Sequence, residues 1–318
     1  MQHCHFCMIP LHVDIFQGKP AMQTPLFVGL LSTLLATFPV AARDDYASQG
    51  LSGLTGFLAG GYQEARAEVE YGKLARGDAQ ALQRLIALAK QGNPQAQNYL
   101  GVFLDRGLHG MGKHPDLAAR YFYAAHKSEP LAAYNLGLLY LFGRGVERSE
   151  VSAMSYMRQA VARQRIPQAD VRLGLYHYRR KEITEAGRWF REAAQDNDPV
   201  GAYYVGRMRV EDKRDYREAM AWLDKAAGRR NADAARLIAY LYENGLGMNK
   251  NLELAAGWTL IHRVLAEKGQ ATNLPRISLF GLEEARMQKA RAFATMWLGS
   301  HPGGALPDYV GTLANLTR

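Results

Sequence analysis

The chain has 318 residues, 48% apolar and 22% charged, with 39 Lys and Arg against 30 Asp and Glu, a formal net charge of +9 and two cysteines. That apolar fraction supports a sizeable core and excludes wholesale disorder; the length suits two or three ordinary domains or one long repeat array. Two cysteines exclude a disulfide-stapled scaffold and a multi-cysteine zinc protein, and the positive charge bears on partners rather than on fold.

Both cysteines, Cys4 and Cys7, stand with His3 and His5 in the opening HCHFC. These are ligand types for zinc or copper, but a single C-x-x-C lacks the second half of a four-ligand site, so no metal and no cofactor are expected. Next comes the apolar stretch Pro25–Ala42, PLFVGLLSTLLATFPVAA. It has the length of a secretory h-region, is short for a bilayer span of about 20 apolar residues, and ends in the small residues Val40, Ala41 and Ala42. Residues 1–42 are read as an upstream extension plus a signal peptide starting at Met22, which sends a bacterial protein to the periplasm or beyond. An uncleaved segment 25–42, anchoring the chain in the inner membrane, is the alternative; otherwise membrane contact is transient. Residues 43–61, rich in Gly, Ser and Ala, have linker composition.

Beyond residue 92 a pattern recurs, a small residue followed four positions later by an aliphatic and then by Gly. The copies are AQNYLG, AAYNLG, ADVRLG, GAYYVG and AARLIA, which place the aliphatic at Leu100, Leu136, Leu173, Val205 and Ile238 and the next small residue at Gly101, Gly137, Gly174, Gly206 and Ala239. A second signature follows each, an aromatic with Ala four or five positions on: Tyr121, Tyr156, Trp189 and Trp222. The fifth copy keeps Trp258 but has His262 and Arg263 in place of the alanines. Each half carries apolar residues at i, i+3, i+4 and i+7, so the unit is a helical hairpin. Small residues at fixed places let its two helices cross closely. One hairpin cannot bury its stripe alone, so an all-α solenoid of stacked hairpins is expected.

The run PLAAYNLGLLYLFGRGVERSEVSAMSYMRQAV resembles the Sel1-like repeat (SLR), a relative of the tetratricopeptide (TPR) repeat, and NADAARLIAYLYENGLGMNKNLELAAGW matches it nearly as well. The copies beginning near Pro167 and Pro199 lack the G-x-G loop and are shorter. The resemblance covers residues 62–270, about six hairpins with Tyr71–Gly92 as a degenerate first unit. Residues 271–300 read as a C-terminal capping helix with Leu282, Ala285, Phe293, Met296 and Trp297 as its stripe, and 301–318 as a tail.

Enzymatic readings find little support. Gly107 to Lys113 fits G-x-x-x-x-G-K, but His114 stands where magnesium would need Ser or Thr, and the preceding segment reads as helix rather than strand. Turn glycines between two helices explain the run better. The histidines after residue 42 (His109, His114, His126, His177, His262 and His301) share no short metal-ligand spacing, and His177 fills the slot of Tyr140.

Binding remains. The TPR resemblance implies that groove-facing positions lie two before, two after and five after the aliphatic, which singles out Asn98, Tyr134, Tyr178, Tyr203, Arg207, Arg236 and Tyr240, with Val210 and Glu243 at the last level. Several of these tyrosines could equally pack between adjacent repeats. Six of the nine excess positive charges fall in residues 158–230, with Arg179, Arg180, Lys181, Lys213, Arg214, Arg229 and Arg230 among them. The expected partner is a protein or extended peptide, with an anionic envelope polysaccharide as second reading, an envelope hydrolase as third, and no nucleic acid.

Overall fold

The computed structural model describes residues 66–213, 215–267, 274 and 278–302. The HCHFC motif, the segment 25–42, the linker 43–61 and Arg214 lie outside the described residues.

Among the described residues all regular structure is helical. The helices are α1 (residues 66–75), α2 (Ala79–Lys90), α3 (Pro94–Arg106), α4 (Pro115–Ala125), α5 (Pro130–Phe142), α6 (Glu150–Val161), α7 (Pro167–Arg179), α8 (Ile183–Gln195), α9 (Pro199–Asp212), α10 (Tyr216–Gly228), α11 (Ala232–Asn244), α12 (Leu252–Ala266) and α13 (Glu284–Ser300). Their packing is that of an α-solenoid of helical hairpins. Two compact units divide the chain, Met1–Ala132 and Ala133–Arg318. In the first, α3 packs against α2 and α4; in the second, each helix from α6 to α13 packs on the next, and α9 also touches α7 and α11.

Helix starts are written into the sequence. Proline at the first turn, where its missing N–H costs nothing, opens α3, α4, α7 and α9. Side chains of Asn93, Asp198 and Asn231 accept from the first-turn N–H groups of α3, α9 and α11, while Ser149, Asp215 and Asn251 do the same for α6, α10 and α12. Asn93, Asp198 and Asn231 are themselves buried, so these caps belong to the core between repeats.

The repeat aliphatics Leu100, Leu136, Leu173, Val205 and Ile238 are all buried. The Gly that follows each of the first four is where the partner helix enters. A Cβ on Gly174 would lie 2.6 Å from the Phe190 ring, and the equivalent atoms on Gly101, Gly137 and Gly206 would meet Phe122, Met157 and Leu223. The fully buried side chain of each second helix is thus the residue after the repeat aromatic, while Tyr121, Tyr156, Trp189 and Trp222 themselves are only part-buried. Turns follow the same economy. Gly107, Gly143 and Gly245 take positive φ in the longer loops, and the two short repeats use Lys181 (φ 63°) and Lys213 (φ 56°) in that role.

Helix α13 corrects the stripe read from the sequence. Met287, Ala290, Ala294 and Leu298 are the buried residues of the helix, Leu282 is buried just before it, Phe293 and Trp297 are part-buried, and Ala285 and Met296 are exposed. The helix starts at Glu284, and a period of 3.6 counted from Met287 puts Ala285 and Met296 on the outer side.

Candidate functional site

Successive first helices are tied by tyrosines, of which Tyr134 and Tyr178 are groove positions. In the first unit the Tyr99 hydroxyl donates to Glu68 at 2.5 Å and its ring stacks on Tyr71 at 4.4 Å; burial and this carboxylate push the phenol well above its ordinary range. Asn98, beside it, is buried. In the second unit Tyr134 on α5 accepts from Arg172 on α7 at 3.5 Å, and the Tyr178 hydroxyl on α7 donates to Glu211 on α9 at 2.6 Å.

Arg207 completes that junction. Its Nε donates to Glu211 at 2.8 Å and its guanidinium lies over the rings of Tyr178 and Tyr204 at 5.6 and 5.8 Å. Burial would lower its pKa, but the Glu211 carboxylate and the tyrosines outweigh this and raise it. Burial and the hydrogen bond to the Glu211 carboxylate outweigh the nearby Arg207 and push Tyr178 up to about 12. Tyr178 and Arg207 therefore serve the join between repeats first, as packing residues that also reach a surface.

Between α9 and α11 lies a cleft of about 530 Å³. All three groove positions of both repeats line it: Tyr203, Arg207 and Val210 from α9, and Arg236, Tyr240 and Glu243 from α11. Tyr203 is 7% exposed and forms part of the wall, whereas Tyr240 is 47% exposed. Leu237, Ala239 and Glu211 add to these helices, and Phe280, 37% exposed, contributes from the segment before α13.

The far wall comes from the fifth copy's departures. Thr259 stands in the slot of Phe190 and Leu223, Ala239 in the slot of Gly174 and Gly206, and His262 where the other copies have alanine; all three line the cleft. His262 Nδ1 is 2.9 Å from the Ala232 carbonyl, which only accepts, so Nδ1 carries a proton and donates it there. Sequence reasoning noted His262 and Arg263 as departures but did not place His262 at a binding surface; a bulky polar residue in an alanine slot was the available signal.

The basic residues do not form one patch. Arg179, Arg180 and Lys181 lie at the α7–α8 turn and Lys213 at the α9–α10 turn, on one edge of the layer, while Arg229 and Arg230 lie at the α10–α11 turn on the opposite edge. Several are already engaged: Arg179 with Glu150, Arg180 with Glu182 at 2.9 Å and over the Tyr176 ring, and Arg230 with the His301 carbonyl at 3.3 Å.

Among the described residues His177 and the glycine-rich run singled out by the sequence take structural places. His177 is buried with Nδ1 2.5 Å from Glu182, as a packed position would be, and Gly107, Gly110 and Gly112 take positive φ as turn residues after helix α3. Among the described residues no group of three His, Cys, Asp or Glu could hold a metal ion, and no helix is long and apolar enough to cross a membrane.

Comparison with known families matches the Sel1 repeat at residues 94–125, 130–164, 167–198, 199–229 and 232–260, half of the chain. The chain belongs to the Sel1 repeat family. Two solved structures share the Sel1 repeat fold. A Sel1 repeat protein from Oxalobacter formigenes is 25% identical with a TM-score of 0.59, over 73% of this chain and 96% of that one. The protective antigen c5321 of uropathogenic Escherichia coli, described as displaying an SLR fold, is 23% identical with a TM-score of 0.61, over 75% of this chain and 53% of that one. An uncharacterized protein of Neisseria meningitidis serogroup B, NMB1327, is 28% identical over 196 residues; the match takes in 60% of this chain and 40% of that relative's length. Sel1 repeat proteins are in general scaffolds for protein–protein contact.

Proposed function

We propose that this Sel1 repeat protein is an exported bacterial scaffold that holds a partner protein or an extended peptide in the α9–α11 cleft, in envelope assembly or signalling. The observation that carries the binding half is the convergence of Tyr203, Arg207, Val210, Arg236, Tyr240 and Glu243 from two consecutive repeats on one cleft, with exposed aromatic surface at Tyr240 and Phe280. Tyr and Arg in a part-desolvated recess are the side chains that most often dominate interface energetics. The apolar stretch Pro25–Ala42 supports export.

Tyr203 is a poor site for the test because it is buried and its truncation would open the core. The exposed pair serves instead: partners recovered by pulldown with the parent chain should be lost with Tyr240→Ala and Arg236→Ala combined. Unchanged recovery of every partner removes the cleft from the account. Export is tested separately by sequencing the N-terminus of protein taken from the periplasm. Cleavage after Ala42 is expected, and a chain confined to the cytoplasm with residues 22–42 intact overturns it.

A further inference from the structure

Charge is unevenly placed along the α9–α11 cleft. As first helices of successive hairpins, α9 and α11 run the same way, so equivalent repeat positions share a height. Tyr203 and Arg236 stand nearest the helix N-termini, Arg207 and Tyr240 come next, and Val210, Glu211 and Glu243 lie toward the C-termini. Arg236 therefore stands toward the end where the helix macrodipoles are positive, Glu211 and Glu243 stand toward the end where they are negative, and Arg207 lies between them.

The end groups differ in availability. Arg207 and Glu211 are bonded to each other. Arg236 is 3.1 Å from Asp233 in a pair whose two side chains are 62% and 58% exposed, a contact that a competing carboxylate displaces readily. From Arg236 to Glu243 the helix rises about 10 Å at 1.5 Å per residue, a distance that an extended chain covers in about three residues. Between these ends Leu237 and Tyr240 of α11 present apolar surface, Phe280 lines the same cleft, and Arg207, at the height of Tyr240, has its charge met by Glu211. Phe280 holds its ring there from a φ of 55°, a conformation that bulky residues adopt rarely.

We propose that the cleft accepts an extended peptide segment with an acidic and a basic residue three positions apart and an apolar side chain between them. The carboxylate meets Arg236, the cation meets Glu243, and the apolar side chain packs on Tyr240 and Phe280. This rests on the cleft being the partner-binding surface.

The test uses the full chain and labelled peptides carrying Asp-Leu-Leu-Lys, Asp-Leu-Leu-Asp, Lys-Leu-Leu-Lys or Asp-Gly-Gly-Lys in a Gly-Ser frame, with affinity read by fluorescence anisotropy. The mixed-charge apolar peptide is expected to bind about fivefold more tightly than either like-charged one. Glu243→Lys should move the preference to Asp-Leu-Leu-Asp, and Arg236→Glu to Lys-Leu-Leu-Lys. Both positions lie on the surface of α11, and circular dichroism on each variant checks that it is folded. Equal binding of all charge patterns, lost with Tyr240→Ala, overturns the charge assignment and leaves the cleft as a binding surface. Binding indifferent to Tyr240→Ala overturns both. If none of the peptides binds, the assignment fails and the pulldown alone decides the cleft. Self-association of the unliganded chain that Glu243→Lys abolishes would make a second copy the occupant, and would also overturn the proposal.

Discussion

Two buried aspartates make stability depend on pH. Asp198 caps α9 through the N–H groups of Val200 and Gly201 at 2.8 and 2.9 Å, yet burial outweighs these donors and the nearby Arg229 and pushes its carboxyl up to about 6. Asp170, buried in the first turn of α7, is pushed up to about 7 by burial and then by the charges of Glu192 and Asp196. A carboxyl raised in the folded state contributes stability that is fully present below its unfolded value and is lost as pH rises through the folded one. The contribution of these two carboxyls should therefore fall between about pH 4 and about pH 7. Asp170→Asn and Asp198→Asn should both be more stable than the parent at pH 8 and lose that advantage near pH 3.5, as read from urea midpoints. Asn in place of Asp198 keeps the cap, since Asn93 and Asn231 do the same work in sister repeats. A pH-independent difference would refute the burial account. At Gly174 the limit is steric: Gly174→Ala forces the Phe190 ring to move and should cost about 1–3 kcal/mol in chemical denaturation, with helix content retained.

At the scale of elements, hairpins were legible because a multi-position pattern recurs, and recurrence averages out local noise in propensity. What recurrence hides is the role of each slot. Sequence marks Tyr178 and Arg207 as groove positions, yet both side chains are turned onto Glu211, and the Tyr178–Glu211 contact joins residues 33 apart, which no single repeat encodes. The α13 stripe was misplaced for a related reason, since a helix without a sister copy offers only its own periodicity to fix its phase. Departures were the more informative signal for the cleft, which draws on Thr259, His262 and Ala239 of the atypical fifth copy. Turns of the short repeats carry a testable cost. Lys213 occupies the left-handed C-cap position that Gly107 and Gly245 fill elsewhere. Lys213→Gly should raise stability by a few tenths to about 1 kcal/mol, the strain relieved being partly offset by the freer unfolded chain. A loss of stability would show that the lysine side chain makes a contribution larger than the strain.

At the largest scale, the basic residues of the 158–230 region are divided between two edges of the second unit, and several are engaged in local pairs such as Arg179 with Glu150 and Arg209 with Glu218. This arrangement favours a scaffold with moderate salt dependence over a polyanion-binding surface, which would need its cations on one face. The end of the second unit is closed differently. Trp258 on α12 meets Phe293 and Trp297 of α13 edge-on at 5.8 and 5.2 Å, and Trp297 stacks on His301 at 4.2 Å. Trp297→Ala should loosen α13 and, because the ring is part-exposed, cost less than the about 3 kcal/mol lost when a fully buried aromatic is truncated, as read from urea unfolding.

That aromatic cluster also makes the chain its own optical reporter. Trp189 and Trp222 sit on α8 and α10 under Arg188 and Lys225 at 4.3 Å, away from the α13 contact, while Trp258 and Trp297 flank it. Emission from the second pair shifts to the red when water reaches the α12–α13 seam. Emission of a chain with Trp189 and Trp222 replaced by Phe therefore times the release of the terminal helix separately from the melting of the repeats, without any attached dye.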